Sequence, residues 1–524
     1  MAKQTVTKGI EKTTSIKKEE KFIKIPAIDE LRQVCSVRAM ELYGKKFPEI
    51  VEARMDRELD MIDEQGTADF YLSARELSIS ARKQTIPLCF RGPITGSLVS
   101  FLAQIAYINP LPPHYYCPNC NSSDFPRNLQ KSLHCGLDLP DRVCPVCGKP
   151  MRKDGYDLPV EIAFGARGEH MPVLSLETIP DFFTKAMPEG YEKEYDEFAI
   201  LDSDVIEGDE EADRYFTEKE ESLLLDQMED NLYHSIGCTE PNMRKVHIVK
   251  KGEKNELVRI LCVLSPNLEF LYSLMKVTHI DPRFAFFGDP KTFGLFKGSD
   301  SVGLPKDVLG YSYGTLGVPI YSSPKLESLL NNVTLNRFSD LIRMTGLFLG
   351  TGTWIENGDY LLREKIASYD DLIASRDDLF ECLMRHEYTA EHAIDVCKVV
   401  WNGHHLTEAM EQEMEMRGIP DFAIESIKCI RTLYSRAQII YQNGVAWQAA
   451  WYKTYYPREF YRTFFDVFAT EEQMQNIRRG RQYIEALLDE TDPDTLRDLG
   501  KPSRPEYRIY LTAREMYLRN YTLM

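Results

Sequence analysis

Asn109-Pro-Leu-Pro-Pro-His-Tyr-Tyr-Cys117-Pro-Asn-Cys120, followed 23 residues later by Cys144-Pro-Val-Cys147-Gly148, is the stretch on which the reading of this 524-residue chain turns. Two Cys-x-x-Cys pairs supply four thiolates, the donor set of a tetrahedral Zn²⁺ site with no open position. The spacing within each pair lets backbone amides point at the sulfurs, and Gly148 relieves the second turn. Structural Zn²⁺ held by Cys117, Cys120, Cys144 and Cys147 is therefore expected. A closed site implies neither hydrolysis nor redox chemistry. The alternative is four free buried thiols. His134 and Cys135 lie between the pairs as spare ligands, but four cysteines already close the site.

The chain is long enough for two to four domains. Its apolar fraction of 43% supports a buried core, and nothing approaches 18 consecutive apolar residues. The lysine-bearing N-terminus lacks an apolar h-region, so it does not read as a secretory signal. Twelve cysteines, four of them in the two pairs, point to a reducing compartment, and a cytoplasmic protein without a membrane partner is expected. The net charge of −18 is unevenly spread. Between Glu192 and Asp230, 17 Asp or Glu face three basic side chains, which leaves only −4 for the rest of the chain. Most of the acidity sits in one insert-like segment, and no broad basic stripe predicts tight nonspecific DNA binding.

Residues 1–25 read as a tail that is disordered or ordered by a partner. A helix is predicted from Asp29, with Leu31, Val34, Cys35 and Leu42 at helical spacing. Pro48 opens a second, striped by Val51, Met55, Leu59 and Ile62. Arg91 to Ser97 is a Gly-containing loop, followed by an apolar helix predicted over 98–108 and stopped by Asn109-Pro110. The acidic segment, about 190–230, reads as loop with an exposed helix. Val246–Val249 and Leu257–Leu264 read as strands. Residues 281–465 carry helical patterns, and 470–524 reads as two or three charged amphipathic helices.

The passage from Asn109 through Cys120, then Gly136-Leu-Asp-Leu-Pro140, Cys144 to Gly148 and Lys153-Asp-Gly-Tyr-Asp-Leu-Pro159, closely resembles the zinc-bearing insertion of the PolC type of bacterial DNA polymerase III alpha subunit. Ile280-Asp-Pro282, Asp289-Pro290, Gly314-Thr-Leu-Gly-Val-Pro319, Thr345-Gly-Leu347, Leu406-Thr-Glu-Ala-Met410 and Arg436-Ala437 through Tyr455-Tyr-Pro457 match that family's fingers in order and spacing. The resemblance covers roughly residues 45–520, as a shortened homologue. It implies an α+β fold: a C-family polymerase-like, degenerate palm with a four-cysteine zinc-binding insertion, then a mostly α-helical fingers region. The implied layout is a tail at 1–27, palm N-terminal part at 28–113, zinc insertion at 114–160, palm with acidic insert and reduced thumb at 161–275, fingers at 276–465 and C-terminal helices at 466–524.

Within that resemblance the departures fall on the chemistry. Gly165-Ala-Arg-Gly-Glu-His-Met-Pro-Val-Leu-Ser-Leu-Glu177 is similar to the palm stretch in which the family has an Asp-x-Asp pair, and here those positions are Val173 and Ser175. The strand Leu261-Cys-Val-Leu264 resembles the one bearing the third carboxylate, which puts Cys262 at its position. Nucleotidyl transfer needs carboxylates to hold two Mg²⁺ ions, so the resemblance implies no catalytic residues and no catalytic Mg²⁺. The family's phosphate loop keeps Arg91, Gly92, Gly96 and Ser97, but Pro93 removes an N–H, so this loop reads as degenerate. Family residues of the nucleotide site stand here as Ser312, Leu349, Gly352, Gln438 and Gln442. Nothing resembles the family's exonuclease, phosphoesterase-like, oligonucleotide-binding or clamp-binding parts.

Other features have plainer readings. Asp202-Ser-Asp204 is an Asp-x-Asp in a solvated acidic loop. Asp281 and Asp289 read as turn or cap residues. His404-His405 reads as a surface turn. Trp447, Trp451, Tyr452, Tyr455 and Tyr456 read either as core or as a base-stacking platform. Arg478, Arg479 and Arg481 read as a solvated face or a phosphate contact. The expectation is a non-enzymatic PolC-like protein that binds DNA or a replication or repair partner. The alternatives are an active short polymerase with displaced carboxylates, and a self-assembling interaction protein without DNA contact, for which a homo-oligomer is the natural form.

Overall fold

In the computed structural model the described residues are 26–126, 134–170, 175–195, 246–251, 257–284, 287–322, 326, 329–489 and 505–523. The tail, most of the acidic segment with Asp202 and Asp204, and Val173 lie outside them.

The chain begins with three helices: α1 (Ala27–Tyr43), α2 (Glu49–Gln65) and α3 (Ala68–Lys83). Pro48 stands just before α2, where its missing N–H costs nothing. Leu31 and Cys35 of α1 and Val51, Met55, Leu59 and Ile62 of α2 are buried, as the 3.6-residue period predicts. A five-stranded sheet follows, in the order β1 (Leu88–Arg91), β5 (Ser175–Thr178), β8 (Leu257–Leu264), β7 (Val246–Lys251), β6 (Tyr191–Tyr195). Strands β5 and β8 run parallel and the other neighbours antiparallel. The predicted strands at 246 and 257 are both present. The start of the acidic segment differs from its reading: Tyr191–Tyr195 pairs antiparallel with β7 as an edge strand.

The helix predicted over 98–108 is only α4 (Leu98–Leu102). Gln104 takes a positive φ of 63°, and the amides of Ile105 and Ala106 both turn back to the Ser100 carbonyl, which ends the helix. The apolar run that suggested a longer helix is the buried exit loop: Ile105 and Ile108 pack into the core.

The cysteine-bearing segment forms its own small sheet of β3 (Ser123–Asp124), β2 (His114–Tyr116) and β4 (Arg152–Asp154). The second half is mainly helical. The helix Pro266–Thr278 places Phe270 edge-on against Phe460 and Phe468 of the helix Pro457–Phe468. The helix Arg436–Tyr455 sends Trp447 into a cage of Phe287, Phe293, Phe296 and Phe338. Trp447 is 1% exposed, so the aromatic-rich helix is read as core at that position. The last part is helical over Glu471–Arg478, Arg481–Asp489 and Pro505–Leu518. The architecture is mixed α+β.

Candidate functional site

The four cysteines converge. One sulfur from each of Cys117, Cys120, Cys144 and Cys147 lies within 4.8 Å of every other. The Cys117–Cys147 and Cys120–Cys144 sulfurs are each 3.5 Å apart. Tetrahedral Zn²⁺ with Zn–S bonds of about 2.3 Å separates its ligands by about 3.8 Å, so the donor set fits a closed zinc centre. The amides of Asn119 and Cys120 aim at Cys117 Sγ, and those of Val146 and Cys147 at Cys144 Sγ. The Ser122 hydroxyl, 3.1 Å from Cys144 Sγ, pulls that thiol down to about 6. Both favour the thiolate a metal requires. His134 and Cys135 are not in the cluster: Cys135 is buried in the main core, and His134 lies within 4 Å of Asp157 and Glu381.

The second candidate centre is the face of the large sheet that carries Ser175. Successive strand residues face opposite sides, and paired residues share a side. Ser175 pairs with Arg91 on β1 and with Leu261 on β8, and Glu177 pairs with Cys89 and Val263. Cys262 is level with Leu176, on the opposite and fully buried side. In the strand register Leu261 stands level with Ser175, and Cys262 is one position further along β8. Burial pushes the Cys262 thiol up to about 12, as for an inert core cysteine.

Sequence reasoning missed Glu177. It is 6% exposed, ion-paired with the Arg91 guanidinium at 3.2 Å, and accepts a hydrogen bond from the Tyr441 hydroxyl at 2.9 Å. Glu177 closes the stretch Gly165–Glu177, and its even spacing from Ser175 was the available signal. Around Ser175, β5 and β8 offer a neutral hydroxyl, the apolar Leu261 and Val263, and one carboxylate already held by Arg91. A pair of Mg²⁺ ions calls for several carboxylate oxygens, and on β5 and β8 among the described residues Glu177 is the one carboxylate next to Ser175.

The loop from Arg91 to Ser97 is fastened from within. Gly92 takes φ 83°, which admits glycine readily, and Pro93–Gly96 forms one short 3₁₀ turn. Ser97 caps α4 by accepting from the Ser100 amide at 3.1 Å. The amides of Leu98 and Val99 donate to the Glu58 carboxylate at 3.0 and 2.9 Å. Glu58 also accepts from Ser97 Oγ at 2.7 Å and from Arg54 Nε at 2.5 Å, and is wholly buried. All three first-turn amides of α4 are thus consumed inside the protein, independently of Pro93. Glu58 was a second residue the sequence did not single out.

The remaining candidates fall as turn and cap residues. Asp281 binds its neighbour Arg283, and Asp289 caps the short helix at Pro290. His404 and His405 are exposed, and among the described residues only the four cysteines cluster as metal donors. Arg478 and Arg481 pair with Glu471 and Glu485, and Arg479 lies 3.4 Å over the Tyr483 ring.

Comparison with known proteins follows the same parts. Residues 29–174, which include most of α1, all of α2–α4, the loop and the cysteine sheet, match the family described as the bacterial DNA polymerase III alpha NTPase domain. The chain is 29% identical over 504 residues to the "DNA polymerase III PolC-type" of Clostridium perfringens, covering 88% of this chain and 34% of that protein. It is 28% identical to the protein of the same name from Caldanaerobacter subterraneus (94% of this chain, 38% of that one), and 26% identical to that of Bacillus subtilis (99% and 39%). Over most of its length the chain is similar to the PolC-type DNA polymerases III. It spans about a third to two fifths of the length of these relatives. The expectation of a non-enzymatic protein is corrected here: the relatives are named as polymerases, and that family points to an enzyme. No helix among the described residues is long and apolar enough to cross a membrane.

Proposed function

We propose that this chain acts in DNA replication or repair as a PolC-related protein that engages primed DNA. In this reading the large sheet takes the palm position. The helix Arg436–Tyr455 takes the fingers position, and the cysteine cluster holds a structural Zn²⁺. One observation carries the reading: the similarity to PolC-type polymerases runs through nearly the whole chain. The Tyr441–Glu177 hydrogen bond supports it, since it ties the helix to the sheet 264 residues away in sequence. The PolC-type name makes nucleotidyl transfer the activity to assay, and Glu177 is the carboxylate beside Ser175 on β5.

Two measurements test this. Fluorescence anisotropy with a labelled primed duplex reads binding, and absence of binding at low salt would remove the DNA-engaging role. Primer extension with Mg²⁺ or Mn²⁺, with and without chelator, reads transfer. Loss of extension in Glu177→Gln would assign that carboxylate to the reacting centre.

A further inference from the structure

The helix Phe338–Leu349 draws its N-terminal cap from a distant part of the chain. Arg337 stands at the N-cap, and a guanidinium carries donors only, so it cannot accept from the first free amides. The acceptor comes from 200 residues earlier. The Asp138 carboxylate takes the Phe338 amide at 2.7 Å and the Ser339 amide at 3.0 Å, one on each oxygen. Its negative charge also suits the positive end of the helix.

Asp138 ends the short turn Gly136–Asp138, and that turn is built onto the cysteine module. Leu139, the next residue, packs in one small cluster with Tyr115, Cys117, Cys144 and Met151. The Tyr115 hydroxyl donates to the Pro140 carbonyl at 2.8 Å, and Lys153 Nζ to the Leu139 carbonyl at 2.9 Å. The Gly136 amide donates to the Gly155 carbonyl at 2.7 Å. A Cβ at Gly136 would fall 1.9 Å from the Asp154 carbonyl oxygen, so the turn lies directly on the end of β4. A cluster this small cannot hold a module by burial alone, and a structural metal supplies what is lacking. On the other side, the Phe338 ring lies 5.4 Å from Trp447 and 5.6 Å from Phe287, which belongs to the cage around that tryptophan. Asp138 thus stands between the four sulfurs and the aromatic cage.

We propose that Asp138 is a positioning residue through which an occupied four-cysteine site fixes the start of the helix Phe338–Leu349 and, through Phe338, the Trp447 cage. Zn²⁺ held by Cys117, Cys120, Cys144 and Cys147 keeps Leu139 seated, and so keeps the Asp138 carboxylate within reach of both amides. Without the ion the turn is released, the two amides lose their acceptor and the first turn of the helix frays. Metal occupancy is then felt 200 residues away in sequence, on a helix packed against Arg436–Tyr455. This coupling rests on the cluster holding Zn²⁺, and zinc analysis of the same samples separates the failure of that reading from the failure of this one.

The test is hydrogen exchange of the full chain, read on the peptide from Arg337 to Thr345. It is measured as purified, after stripping with EDTA and after Zn²⁺ is restored, with zinc content determined on each sample. In the wild type, stripping is expected to speed exchange there by about tenfold, and restored Zn²⁺ to reverse it. Asp138→Ala is expected to show the faster exchange with zinc still bound, and stripping to add less than about twofold more. Asp138→Asn keeps one acceptor oxygen and is expected to fall between the two; should the alanine variant not fold, the same comparison is made in this one. The helix Arg481–Asp489, which packs on Glu471–Arg478 and Pro505–Leu518, is the internal control and is expected to be unmoved. Zinc released with no change in the 337–345 peptide, equal gains on stripping in the wild type and Asp138→Ala, or matching acceleration of the control helix would overturn the proposal. Purified chain free of zinc would overturn it together with the zinc reading.

Discussion

Glu58 offers the sharpest test of how the loop beside the sheet is held. Replacing it with alanine strips the acceptor from the Leu98 and Val99 amides, from Ser97 Oγ and from the Arg54 guanidinium in one step. Each buried amide left without a partner costs about 1–3 kcal/mol. Removing one member of a buried ion pair costs about 3–5 kcal/mol, and the two descriptions overlap because they count the same desolvated groups. The local cost is therefore about 3–5 kcal/mol. Glu58→Gln keeps the shape and one acceptor oxygen, and about 2 kcal/mol is expected. Global melting of a chain this large is a poor readout, because several parts need not unfold together. Hydrogen exchange of the peptide spanning Gly92 to Ala103 is the direct one. At about 1.4 kcal/mol per factor of ten, the alanine variant should exchange there from about a hundredfold to a few thousandfold faster. A deoxynucleoside triphosphate should leave exchange of these amides unchanged in the wild type, since their donors are already used. Unchanged exchange in Glu58→Ala, or triphosphate protection of Leu98 and Val99 in the wild type, would refute the internal-fastening argument.

Other outcomes follow from the same geometry. Purified protein should contain one zinc per chain by elemental analysis, and chelation or Cys144→Ser should raise hydrogen exchange across 114–154; retained zinc in that variant would argue against the four-sulfur centre. Asp377 is buried, accepts the Arg436 amide at 2.7 Å, and burial pushes its carboxyl up to about 6 despite Arg436. A raised carboxyl contributes stability below its unfolded value near 4 that is lost as pH rises through about 6. Asp377→Asn should accordingly gain about 1–3 kcal/mol over wild type at pH 8, with the gain vanishing by about pH 4 in denaturant titrations; a loss at pH 8 would reverse the assignment. Trp447→Ala should cost about 3–5 kcal/mol in chemical unfolding, as expected for an emptied aromatic cage, and a cost under about 1 kcal/mol would reopen a stacking role.

Much of the scaffold was legible in the sequence because periodic apolar patterns and special residues act locally. The stripes of α1 and α2, the proline before α2 and the two strands at 246 and 257 are of this kind. The cysteine cluster was legible for a related reason, since its spacing encodes its geometry. What was missed depends on pairing between distant segments. Which β8 residue stands level with Ser175 is fixed by the β5–β8 register, and a shift of one residue swaps the faces. Glu58 and Glu177 are single acids whose roles come from partners 40 and 264 residues away. The helix predicted to 108 failed because a buried exit loop is as apolar as a buried helix, and only the backbone turn at Gln104 separates them.

Equilibrium binding of a primed duplex across a salt series bears most directly on the replication role. The account predicts saturable binding at low salt that weakens linearly on logarithmic axes, with a slope near −0.9 for each phosphate engaged and so at least about −2 in all. Affinity indistinguishable from zero at low salt, or a slope of zero, would contradict it.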